Sequence, residues 1–247
     1  MEERSEKILG IIIKEYTQNS EPVGSQLLSE KYNLDISPAT IRMEMHSLEK
    51  QGYLKQPHTS AGRVPTGRAY RYFVDRLEAK ENLGSAPEAN PGLKSLDQKR
   101  VDHSLRETND PRLVTQQIAQ VIAQISDNLA ISGILDTGEF YKTGLSGLLD
   151  HPEFQEFQAI RQVTDLVDHF EDYIDRLTKK FDAPMEVFIG SEVPLRRLSG
   201  GTVLISRYPL PGGMRGLAAM VGPVRMNYQK NIALMKYITQ VMGRGTF

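Results

Sequence analysis

Apolar positions recur at helical spacing along the first part of the chain. Ile8, Leu9, Ile12, Ile13 and Tyr16 make one stripe, which predicts an amphipathic helix over residues 5–18. Ser20, Pro22 and Gly24 interrupt it. Ser25 predicts the cap of a second, shorter helix with Leu27 and Leu28 inward, ending near Asn33. Ser37-Pro38 opens a third, because Ser caps well and Pro is pre-set for the first helical position. Ile41, Met45 and Leu48 follow at i, i+4 and i+7, and Gly52 closes it. Residues 53–57 then read as extended, 58–62 as a loop and 63–65 as a returning strand, which together predict a two-stranded hairpin. A fourth helix starts at Thr66 and runs to about residue 80, with Tyr70, Phe73, Val74 and Leu77 on one face.

Gly84, Ser85, Pro87, Asn90, Pro91 and Gly92 dilute any periodicity, so residues 81–110 read as a linker. Asn109-Asp110-Pro111 predicts a new helix start. Val114, Ile118, Val121, Ile125 and Leu129 form its stripe, beside a face rich in Gln. That stripe suits either a core or a dimer seam, and of the surfaces available for dimerisation this helix is the preferred one. Strands are predicted over 131–135 and 140–145, joined by 136–139, and again over 185–189, 202–208 and 216–221. Residues 154–181 read as mostly helical, with Ile160, Val163, Val167, Phe170, Ile174 and Leu177 inward; a closing helix spans 227–242. No regular strand–helix beat runs through these elements. The fold class is therefore α+β with an antiparallel sheet, in domains over 1–80 and 111–247.

Composition narrows the chemistry. The chain is 39% hydrophobic and 25% charged, which suits a folded core, although 7% aromatic content and no Trp make it aliphatic. With no Cys, disulfides, thiolate zinc sites and cysteine nucleophiles are excluded. His46, His58, His103, His151 and His169 are scattered, so no metal site is expected. No apolar run approaches the ~20 residues that cross a bilayer. The start Met1-Glu2-Glu3-Arg4 is no signal region, and a cytoplasmic protein without a membrane partner is expected.

The net charge is only −1, but cations cluster locally. Lys55, Arg63, Arg68, Arg71 and Arg76 face a single acid, Asp75, over residues 53–76. Such a cluster suits either a solvated face or a nucleic acid. On the third helix Ala39, Met43, His46 and Lys50 point away from the buried stripe, with Arg42 on the flank. This mix of small, apolar, cationic and hydrogen-bonding groups suits a major groove, whose base edges offer donors, acceptors and the thymine methyl. A basic hairpin loop beside such a helix is placed to meet backbone or minor groove. Helix and hairpin together point to double-stranded DNA and a winged helix-turn-helix. Arg42, Met43 and His46 are the expected base readers, with Ala39 offered to a thymine methyl and Lys50 on the same face. Ser37, Thr40, His58, Thr59, Ser60 and Arg63 are expected to hold phosphate. Arg68 and Arg71 would add backbone contacts. On that reading Arg63→Ala weakens binding to every sequence and makes its salt dependence shallower.

Residue identities go further. Ser37-Pro38-Ala39-Thr40-Ile41-Arg42 with Glu44-Met45, Leu48-Glu49 and Gly52-Tyr53-Leu54 resembles the recognition helix of the heat-inducible transcription repressor HrcA family. Residues Gln56 to Thr66 and Tyr70-Arg71-Tyr72-Phe73-Val74-Asp75 are similar to that family's motifs. So are Gly147-Leu148-Leu149 with Pro152-Glu153-Phe154, Ile189-Gly190 with Pro194-Leu195, and Val221-Gly222-Pro223 with Arg225-Met226 and Tyr228. The resemblance implies repression of chaperone operons by a homodimer on an inverted-repeat operator, with activity that depends on the bacterial chaperonin. It also implies a GAF-like C-terminal domain with an inserted dimerising segment. Here residues 131–135 lead almost directly to 144–147, so a reduced GAF-like domain without that insertion is expected. Met43 stands where the family pattern usually has Asn, and a thioether cannot pair with adenine as an amide does.

Other clusters have plainer readings. Asp165, Asp168, Glu171, Asp172 and Asp175 form a solvated acidic face. Gly200-Gly201 and Gly212-Gly213 lack the context of a phosphate loop and read as turns. His151 has acids nearby but no nucleophile, so neither an enzyme nor a cofactor is expected. The alternative is a regulator whose GAF-like domain binds a small metabolite.

Overall fold

The structure is a computed structural model that describes residues 1–59, 61–82, 92–105, 108–178, 183–193 and 200–244. It divides into two compact units, Met1–Ser85 and Ala86–Phe247. Both mix helices with antiparallel strands, so the chain is α+β. No helix among the described residues is long and apolar enough to cross a membrane.

The first unit holds α1 (Glu3–Asn19), α2 (Ser25–Lys31), α3 (Pro38–Lys50), β1 (Leu54–Lys55), β2 (Val64–Pro65) and α4 (Gly67–Asn82). The expected stripes are its core: Ile8, Leu9, Ile12 and Ile13 from α1, Ile41, Met45 and Leu48 from α3, and Tyr70 and Val74 from α4 are all buried. Ser37 caps α3 as expected, its Oγ accepting from the Thr40 N–H at 3.1 Å. Gly52, at φ 77°, takes the left-handed conformation that turns the chain out of α3 into β1.

A polar cluster around the buried Glu15 ties α1 to α2. The Glu15 carboxylate, 2% exposed, accepts from Lys31 Nζ at 2.8 and 2.9 Å and from the Tyr32 hydroxyl. Those donors, Lys31 first, hold its acid below the usual carboxylate range, and the same bond pushes the Tyr32 phenol up to about 12. A lowered folded-state pKa stabilises above the unfolded value, and the gain vanishes as pH falls through the folded one. Thermal melts of Glu15→Gln and wild type should therefore diverge most above pH 4.5 and converge below it. A gap that stays constant down to strong acid would contradict this role.

In the second unit, β3 (Leu129–Ile134), β4 (Glu139–Thr143), β5 (Met185–Ile189), β6 (Gly201–Pro209) and β7 (Arg215–Pro223) form one antiparallel sheet in the order β4-β3-β7-β6-β5. Helices cover both faces, which is why β3 is buried at every residue instead of at alternate ones. On one face Leu129, Ile131, Val203, Ile205, Leu217 and Ala219 pack with Leu148 of α7 (Leu145–Leu149), Val163 and Leu166 of α8 (Phe157–Asp168), and Phe170 and Ile174 of α9 (Phe170–Thr178). On the other lie α6 (Pro111–Ser126) and α10 (Tyr228–Gly243), where Thr202 and Ser206 of β6 bond the hydroxyls of Tyr228 and Thr239 at 2.8 Å each.

In the first unit Leu27, expected inward, is 42% exposed, and Gly24 in place of Ser25 stands at the cap of α2. Three expectations change in the second unit. The range 81–110 contains a helix, α5 (Ser95–Ser104), packed on α6 and α10 through buried Val101; residues 83–91 lie outside those described. One apolar side chain per turn is too weak a stripe to read in sequence, and here neighbours supply the burial. Second, α6 stops at Ser126 because Asp127 turns left-handed, at φ 56°, so Leu129 belongs to β3. Third, the α6 stripe is core and not a dimer seam: Val114, Ile118, Val121, Ile122 and Ile125 are 3% exposed or less, against the sheet and α10.

Candidate nucleic-acid interface

The candidate surface comprises α3 and the hairpin loop beside it. Around α3, Ile41, Met45 and Leu48 face the core while Ala39, Arg42, Met43, His46 and Lys50 are exposed, Met43 at 74%. These are the five side chains expected on the outer face. Ser37 is exposed and bonded to the Thr40 hydroxyl at 3.0 Å, so both sit at the helix start with their oxygens near the first-turn amides. Ser47, not foreseen, is exposed on the same side and accepts from the Gln51 amide at 3.1 Å.

The hairpin pairs Leu54 with Pro65 and Lys55 with Val64. The return strand β2 is one residue shorter than the 63–65 expected from sequence, because Arg63 pairs elsewhere. Arg63 and Val23, from the turn before α2, exchange two backbone hydrogen bonds of 2.9 Å each. The hairpin is thereby fastened to the helical body at its outer end. Gln56 rounds the loop, donating to the carbonyls of Thr59 at 2.9 Å and Ala61 at 3.0 Å. His58 and Thr59 are exposed at its tip, and Ser60 lies outside the described residues. A groove of about 410 Å³ opens between loop, α2 and α3, lined by Ser25, Gln26, Arg42, Gln56, Thr59 and Arg63.

The arginines divide by environment. Arg42 is exposed on α3. Arg63 turns inward: its Nε and Nη2 reach one Glu49 oxygen at 3.1 and 3.0 Å, and its side chain is 16% exposed. Arg68 donates to the Gln51 carbonyl at 2.8 Å and lies 4.8 Å over the Tyr53 ring, completing the end of α3. Arg71 sits 3.6 Å from Asp75, one turn on. Arg76 is clamped on Glu6 at 2.6 and 2.7 Å and joins α4 to α1. The cationic tract is thus partly internal bracing. Its charges were visible in sequence; their partners, Glu49, Gln51 and Glu6, were not, being 14, 17 and 70 residues away.

Elsewhere, Asp168, Glu171 and Asp172 are exposed, while Asp165 accepts from the Tyr173 hydroxyl at 2.9 Å and Glu171 pairs with Lys142 at 2.9 Å. No cluster of three metal-ligating side chains occurs among the described residues.

Residues 89–232 match the family model described as the HrcA protein C terminal domain. The chain belongs to the HrcA family. A heat-inducible transcription repressor HrcA of Symbiobacterium thermophilum is 28% identical over 335 aligned positions, covering 96% of either chain. One from Desulforamulus reducens is 54% identical over 88 residues, 36% of this chain and 25% of the relative. The longer alignment exceeds the 247 residues of this chain, so that HrcA carries segments without a counterpart here. A crystal structure of a hypothetical protein shares the fold at a TM-score of 0.79 and 19% identity, covering 100% of this chain and 98% of its own. HrcA proteins are transcription repressors and not enzymes.

Proposed function

We propose that the chain represses heat-shock operons by binding an inverted-repeat operator as a homodimer. The first unit acts as a winged helix-turn-helix, with α3 in the major groove and the hairpin as wing. The observation that carries this reading is the exposed, chemically mixed face of α3 beside a hairpin held in place by Val23. A major groove about 12 Å wide admits a helix of this kind. Arg42, Met43 and His46 read bases, with Ala39 and Lys50 on the same face. Ser37, Thr40, His58, Thr59 and Ser60 hold phosphate, and Arg68 and Arg71 add backbone contacts. Two half-sites require two-fold protein symmetry, hence the homodimer. The second unit acts as a reduced GAF-like domain, and a chaperonin is the expected folding partner, as the family resemblance implies.

Met43 makes the reading testable. Duplexes selected from a randomised pool by wild type and by Met43→Ala should differ at the positions under α3, by about 1–3 kcal/mol at a contacted base pair. Identical consensus sequences would remove Met43 from the reading set. No enrichment by wild type would remove the DNA-binding reading.

A further inference from the structure

We infer that Glu49 is a specificity-determining residue: by engaging Arg63 it locks the hairpin to α3 and withholds one cation from the DNA backbone. This rests on the proposed binding of duplex DNA by that surface. The geometry sets Arg63 apart from the other cations there. Arg42 and Lys50 are exposed on α3, whereas Arg63 places two N–H donors on a single Glu49 oxygen and is 16% exposed. Its backbone is held as well, by the two hydrogen bonds with Val23, so the root of the side chain is fixed while its guanidinium is engaged by Glu49. The same Glu49 oxygen lies 3.6 Å from His46 Nδ1. One carboxylate therefore spans a base-facing ring of α3 and the root of the hairpin loop.

The consequence follows from how the two kinds of contact are used. A phosphate contact strengthens binding to every sequence and adds to the salt dependence. A fixed spacing between helix and hairpin matters only when both are seated, that is, on the correct site. Glu49 removes the first and supplies the second. It weakens non-specific binding and preserves specific binding, so it raises the ratio of the two.

The test uses the full chain and two duplexes, the inverted repeat selected by wild type and a scrambled sequence of equal composition, titrated across a series of salt concentrations. Glu49→Gln, nearly isosteric, should bind the scrambled duplex more tightly. Its salt slope should steepen by about 0.9, the value for one phosphate. Discrimination should fall about tenfold, the scale of one mismatched base pair. Arg63→Ala should lose discrimination with no change of slope. Arg63→Lys keeps the charge without the two-pronged donor and should also discriminate less. An unchanged slope and ratio in Glu49→Gln would overturn the inference. So would a shallower slope with intact discrimination in Arg63→Ala, since Arg63 would then be a direct phosphate contact. Failure of wild type to bind either duplex is the separate outcome that removes the DNA-binding reading, and this inference with it.

Discussion

Gly62→Ala should strip the chain of specific DNA binding while leaving the five-stranded sheet of the second unit intact. A Cβ built at residue 62 falls 2.4 Å from both the carbonyl carbon and oxygen of Val23, and 2.8 Å from its nitrogen. These are backbone atoms, so no side chain can rotate away. The hairpin must lift from the turn before α2, and the two 2.9 Å hydrogen bonds between Val23 and Arg63 must stretch or break. Overpacking against fixed atoms together with two weakened hydrogen bonds costs about 2–4 kcal/mol locally. Displacing the loop also misplaces His58 and Thr59 relative to α3. Binding to the selected repeat should fall by at least about tenfold, which corresponds to only 1.4 kcal/mol. Hydrogen exchange checks the locality: amides of β3, β6 and β7 should keep wild-type protection, while those of Val23 and Arg63 lose it. Unchanged affinity would mean that the hairpin's position is irrelevant to recognition.

Phe170→Ala should have the largest effect on stability. Phe170 is wholly buried and meets Phe140 edge-on, with ring centroids 5.4 Å apart and planes at 73°. It stands at the start of α9 and packs in the cluster that joins α7, α8 and α9 to the sheet. Removing a buried phenyl ring costs about 3–5 kcal/mol, because the lost transfer energy adds to the cavity left behind. Against a typical stability of about 5–15 kcal/mol this is a large fraction. Urea unfolding followed in the second unit should show the midpoint move with little change of slope. A loss below about 1 kcal/mol would show that the helical layer tolerates the cavity by collapsing into it.

What was legible in sequence was local. Ser37-Pro38 marked the start of α3, and the cap formed as the residue types demand. Ile41, Met45 and Leu48 marked its buried side, which left the outward face by subtraction. The strands of the second unit were found within one or two residues, since all but the polar β4 are apolar runs between turn residues. What was hidden was tertiary. The stripe on α6 showed which side is apolar without showing that β3, β7 and α10 cover it. The ten residues of α5 carry too little apolar pattern to read as a helix before α6 and α10 supply a surface. Arg63 showed a charge in the hairpin but not its partner Glu49, 14 residues earlier.

The repressor reading depends most on one question, whether two copies of this chain place two α3 helices on one operator. The direct measurement combines light scattering of the full chain with footprinting on the inverted repeat that it selects. The expected result is a dimer in solution and equal protection of both half-sites, appearing together as protein is added. A monomer that protects a single half-site would contradict repression through a two-fold complex.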